Sequence, residues 1–264
     1  MFTFSEATSM HSFIEDPPTW LAAVAVIAVV TYSLGDFIMT PTYVPDSYYE
    51  FADVRHALGI PHTGDVLSNG AFAIIAIWRL FMVYRARDRV AVKPGLALSL
   101  TAFFAAVFLV TFGSGYFHLD PGPDRIFLDR LPISLAAGAI LATLLIDRWT
   151  PSQKGALLTF AATMAFAIAG LWHVTATGDL RLYALTQAAP LIVALVCAMN
   201  WNSPQHLIPG WRLLFLALLY AGAKAAEVYD WELFAEFDWL SGHNLKHLLA
   251  ASAAAMAVPS RRHS

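Results

Sequence analysis

The stretch GSGYFHLDPGPDRIFLDRLP, from Gly113 to Pro132, joins two apolar segments and places His118 at the end of the first and Asp129 at the start of the second. Its complement lies near the C-terminus, in His243-Asn-Leu-Lys-His247. A His-x-x-x-His spacing on a helix sets both imidazoles on one face, where a single ion can take both. Ionisable groups at membrane depth are costly and usually functional. Three histidines at the ends of apolar helices therefore point to a metal.

The surrounding composition settles the environment. Of 264 residues, 58% are hydrophobic and 13% charged, with a mean hydropathy of +0.58. A soluble domain carries about 25% charged residues, so the chain reads as a membrane protein. Its one cysteine, Cys197, excludes an internal disulfide and a cysteine-rich metal site, leaving histidine and carboxylate as ligands. A net charge of -3 offers no basic surface for nucleic acid.

A span needs about 20 apolar residues to cross a ~30 Å hydrocarbon core. Such spans are expected at 19–39, 65–84, 94–117, 130–147, 154–173, 181–200, 211–229 and 242–258, giving an all-α polytopic membrane bundle. The first is expected to stay in the mature protein, because Glu6, Glu15 and Asp16 precede it instead of the basic flank of a signal peptide. Pro94, Pro132 and Pro151 fall at or before helix starts, whereas Pro190 lies inside the sixth span and should kink it.

Lysine and arginine in the connections set the orientation. One face collects Arg85, Arg87, Arg89, Lys93, Arg148, Lys154, Arg212, Arg261 and Arg262; the other holds only Arg55, Arg125, Arg130 and Arg181 among many carboxylates. The basic face is expected to be cytoplasmic, with both termini inside. The helix ends bearing His118, Asp129, His243 and His247 then share the outer face.

Ser114 and His118 lie four apart and share a helix face, while His247 sits one turn below His243. Three histidines with one open position make a zinc site of the catalytic type, in which water ionises near neutral pH. Asp129 is placed to take a proton from that water, and Ser114 to donate to an oxyanion. The set is that of a metal-assisted hydrolase. A histidine at a single helix end is more often interfacial, and His11, His56, His173, His206 and His263 are read that way. Lys224 and Glu227, three apart in the seventh span, are expected to neutralise each other, and Asp230 to border the pocket.

The chain resembles the alkaline ceramidase-like family of the CREST superfamily of membrane hydrolases and receptors. GSGYFHLDPGPDRIFLDRLPI is similar to that family's G-S-x-x-F/Y-H block and its Asp-Arg-Leu-Pro element, SGHNLKH to its C-terminal His-x-x-x-His, and Ser68-Asn69 to the Ser-Asn opening its first core helix. The resemblance implies a seven-helix ceramidase-like catalytic core over 65–264, preceded at 1–64 by an added transmembrane helix and outer loop. It implies that His118, His243 and His247 bind Zn2+, that Asp129 orients water and Ser114 assists at the carbonyl. The substrate implied is a ceramide-like lipid, cleaved at its amide to a sphingoid base and a fatty acid. The family's calcium-binding Trp-Cys-Glu segment is missing from YYEFADVRHALGIPHTGDVLSN (48–69), where His62 stands at the expected Glu position. Ca2+ would have to use Glu50, Asp53 and Asp65 instead, and a second zinc would have to use His56 and His62. A lipid-binding receptor with structural zinc, a hydrolase of another N-acyl lipid, and a transporter relaying protons through Lys224, Glu227 and the histidines are the competing readings. The sequence names no protein partner.

Overall fold

A computed structural model describes residues 40–150, 152–199 and 206–259. The chain divides into two compact units, Met1–Thr40 and Pro41–Ser264. The expected span 19–39 lies outside the described residues, as do His11, Pro151, Arg261, Arg262 and His263. The candidate metal ligands all belong to the second unit.

The regular elements of that unit, among the described residues, are helical. They are α1 (Thr63–Ser68), α2 (Gly70–Arg85), α3 (Arg87–Val90), α4 (Leu96–His118), α5 (Ile126–Trp149), α6 (Gln153–Thr177), α7 (Arg181–Ala198), α8 (Gly210–Val228), α9 (Asp230–Phe237) and α10 (Gly242–Ala255). A 3-10 turn at Asp46–Tyr49 precedes them.

Five helices are long and apolar enough to cross a membrane: α1 with α2, then α4, α5, α6 and α7. The protein is thus a polytopic helical bundle. Two other expected spans differ in kind. Helix α8 carries Arg212, Lys224 and Glu227 within 19 residues, and α10 is only 14 residues long. Both nevertheless pack into the bundle, α8 against α7 and α10, and α10 against α1, α2 and α4, so the last helix returns to the first. Helix α5 is central: 67% of its apolar window is buried, against 22–44% in the other four, and it packs on α4, α6 and α7. Large apolar side chains such as Ile74, Phe81, Phe112 and Trp172 face outward, as lipid contact requires.

Local sequence explains the hairpin between α4 and α5. Helix α5 begins at Ile126, four residues before the expected start, so Pro132 lies inside it. Proline lacks the N–H that would bond to the carbonyl four residues back, that of Leu128. Gly113 of α4 packs against that same carbonyl, where a Cβ would collide with Leu128 O. The glycine and the proline thus bring α4 and α5 together next to His118 and Asp129. At the other end of the bundle Asp147 is a buried hub. It pairs with Lys93 at 3.0 Å and with Arg148, and accepts the Leu207 and Ile208 backbone N–H groups at 3.0 and 3.1 Å.

Candidate metal centre

Helix α10 is set by its first turn. Ser241 caps it, accepting the Asn244 N–H at 3.0 Å, a typical N-cap bond. Asp230 accepts the His243 N–H at 2.6 Å through one oxygen and the Ala52 N–H at 2.9 Å through the other. Gly242 has no side chain because a Cβ there would strike the Ala226 carbonyl and the Asp230 backbone. Together these features fix α10 against the end of α8 and present His243 and His247 to the end of α4.

There the three expected histidines meet. His118, His243 and His247 are 1%, 4% and 3% exposed, and one nitrogen of each lies within 4.8 Å of the others. The Nε2 atoms of His118 and His243 are 3.1 Å apart. Tetrahedral zinc with bonds of about 2.0–2.1 Å separates its ligand atoms by about 3.3–3.4 Å. An all-nitrogen donor set at this spacing fits a borderline metal such as zinc. Among the described residues it is the one group of three or more histidine, cysteine or acidic side chains close enough to hold an ion.

The surroundings orient the rings. The Ser68 hydroxyl donates to the Asp65 carbonyl at 3.1 Å and lies 2.8 Å from His247 Nδ1. Having spent its proton, the hydroxyl accepts from Nδ1–H, which leaves the Nε2 lone pair free for a metal. Phe51 stands edge-on to His118 and His243 at 4.7 and 4.4 Å, and Phe117 and Phe72 close other sides at 5.0 and 5.9 Å.

Asp129 stands in the first turn of α5 but does not cap it, since Arg125 holds the N-cap position. Ser114 is buried beside it, its hydroxyl directed to the carboxylate. Asp129 and His247 both line a cavity of about 220 Å³ that descends between α4, α5, α7, α8 and α10 past Phe103, Val107, Ile140, Leu216 and Ala253. His118, His243 and Ser114 form no part of that wall.

The other expected residues take structural places. Asp230 is the latch on α10 and does not border the cavity. Asp53 accepts from Arg55 Nε at 2.7 Å, Arg55 Nη2 at 2.5 Å and Asn244 Nδ2 at 3.1 Å, tying the 50–62 loop to α10. Burial acts to raise the Asp53 carboxyl, but these hydrogen bonds outweigh it and hold it below its ordinary value. Asp65 is buried in contact with Ser241, and Glu50 is exposed. These three carboxylates do not gather into a metal-binding group. Nor do the two loop histidines: His56 is exposed, and His62 bonds through Nδ1 to the Asp53 carbonyl at 3.0 Å. Lys224 pairs with Glu227 at 2.7 Å, as expected, but Lys246 of α10 holds the second oxygen of the same carboxylate at 2.8 Å. That third member had a signal in the sequence, a lysine inside an apolar helix at the depth of Glu227.

Neither the protein-family models nor the characterised proteins compared with this chain give a match.

Proposed function

We propose that this protein is a membrane hydrolase that uses zinc to cleave the amide of an N-acyl lipid, in the manner of the alkaline ceramidases it resembles. The observation that carries the reading is the convergence of His118, His243 and His247 beside a cavity whose polar end holds Asp129 and whose walls are apolar. The reaction consumes one water: the C–N bond breaks, the acyl carbon gains a hydroxyl, and the nitrogen leaves as an amine with one added proton. Bound zinc supplies the Lewis acidity that lets water ionise near neutral pH.

The chain's own groups do the rest. Asp129 accepts the proton of the attacking water and can return it to the departing nitrogen. Ser114 holds the Asp129 carboxylate in place, a role drawn from their juxtaposition. Ser68 keeps His247 in the tautomer that ligates. The apolar lining receives the acyl chain and excludes water, which strengthens every polar contact at the site. Charge in the connections supports both termini facing the cytoplasm, with the site toward the opposite face.

The test is product analysis with purified protein and a panel of N-acyl lipids that includes a ceramide. Release of fatty acid and amine, abolished by His243→Ala, is the expected result. Metal-containing protein that binds these lipids and releases nothing would favour the receptor reading.

A further inference from the structure

The cavity beside the metal centre is closed at its lower end. On α5 its lining runs from Asp129 down to Ile140, and on α8 from Glu227 down to Leu216. Each stretch descends about 16 Å at the helical rise of about 1.5 Å per residue. On α10 the lining runs from His247 to Ala254, a descent of about 10 Å. Phe103, Ile140, Leu216 and Ala253 lie at the bottom. About one turn further from the site, Leu100, Leu144, Leu213 and Ala257 are each at most 1% exposed, and none of them lines the cavity. All eight residues belong to one packed core, whose density leaves no passage for a hydrocarbon chain. The open end is the polar one, lined by Tyr48 and by Lys224, whose side chain is 58% exposed.

We infer that the cavity is a length gauge for a straight acyl chain, admitting up to about twelve carbons and rejecting those of roughly sixteen or more. The inference rests on the hydrolase reading for calling the chain acyl, and on the closed floor for its length. A staggered hydrocarbon chain with bonds of about 1.5 Å advances about 1.3 Å per carbon. The descent of about 10–16 Å from the level of Asp129 and His247 to the floor therefore holds about 8–12 carbons. Volume agrees with length. A dry apolar cavity of about 150 Å³ takes the six carbons of benzene, so one of about 220 Å³ takes about nine carbons at the same filling. A chain drawn from a bilayer gains little from burial as such, because lipid tails are as apolar as leucine. Selection comes from the floor: carbons beyond it must fold the chain back or displace packed side chains, and overpacking a core is destabilising. Ala253 and Phe103 fix the floor from α10 and α4.

The experiment measures binding to the full-length protein in detergent micelles. The probes are saturated fatty acids from octanoic to octadecanoic, the acyl products of the proposed reaction, each competing at equal mole fraction in the micelle with radiolabelled decanoic acid. Binding is expected to change little from octanoic to dodecanoic acid, and to fall by about tenfold or more for hexadecanoic and octadecanoic acids, the scale of overpacking a core. Ala253→Leu raises the floor and should move the fall to shorter acids, whereas Phe103→Ala lowers it and should move the fall to longer ones. Ile74→Ala changes a side chain that faces outward and should leave the profile in place. Even binding across the series in wild type, or none at any length, would overturn the gauge. So would a fall that stays in place in both floor variants while circular dichroism shows them folded. Because fatty acids are not cleaved, a sharp fall in a protein that hydrolyses no amide leaves the gauge standing and removes the hydrolase. Amide hydrolysis indifferent to acyl length removes the gauge alone.

Discussion

Replacing Ser68 by alanine isolates the outer support of the metal centre. Only the hydroxyl is lost, and alanine is the best helix former, so α1 is not weakened. What disappears is the 2.8 Å contact to His247 Nδ1, together with the 3.1 Å bond from Ser68 to the Asp65 carbonyl that fixes the hydroxyl as an acceptor. Without them the Asp65 carbonyl, which also accepts from the His247 imidazole, is the remaining polar hold on the ring, and the proton can more readily move to the nitrogen that should ligate. Loss of such a supporting contact typically lowers metal affinity about 10–100-fold, or about 1.4–2.7 kcal/mol. Competition between the purified protein and a zinc chelator of known affinity measures this directly. Ser68→Thr, which keeps the hydroxyl, should recover most of the loss. An alanine variant within about threefold of wild type, in the same assay that shows His247→Ala losing the metal, would refute the role of Ser68 in setting the tautomer.

Other outcomes follow from the same geometry. Asp129→Asn should fold, retain zinc and lose at least about a hundredfold in amide hydrolysis. Because Asp129 is not the N-cap of α5, a loss of stability without a loss of rate would contradict its assignment. Asp53 has a lowered carboxyl pKa in the folded state, so its stabilising effect is present above the unfolded value of about 3.9 and fades as pH falls through the lowered folded value. Thermal melts should therefore show wild type losing more stability than Asp53→Asn on acidification below about pH 4, with no difference above it. After Cys197 is replaced, an impermeant thiol reagent added to intact cells should label Gly122→Cys and spare Asp88→Cys; the reverse pattern would invert the topology.

The three-histidine cluster is legible in the sequence because its parts are encoded at fixed covalent spacing. His243 and His247 share a helix face by periodicity, and His118 and Asp129 stand eleven apart across the seven-residue connection between α4 and α5. The helical class is equally plain, since apolar runs of membrane length admit few other structures. Less legible are features that depend on contacts distant in sequence. Nothing in the run from Glu50 to His62 predicts that Phe51 packs on two of the histidines or that Asp53 bonds to Asn244, which is 191 residues away. Asp230 has the sequence context of a pocket residue, an acidic group near a mouth, yet two backbone N–H groups occupy it. The usual preference of proline puts Pro132 at a helix start, whereas the helix starts earlier and uses the missing N–H to admit Gly113. Lys246 reads as filler within His-x-x-x-His, although a cation in an apolar helix needs a partner and Glu227 supplies one.

Whether the three histidines hold zinc is decided by elemental analysis of the purified protein, comparing wild type with His118→Ala, His243→Ala and His247→Ala. About one zinc per chain is expected in wild type and a large loss in each variant, because two histidines hold zinc poorly. Wild type without metal after purification free of chelators, or full occupancy in all three variants, would contradict the metal centre.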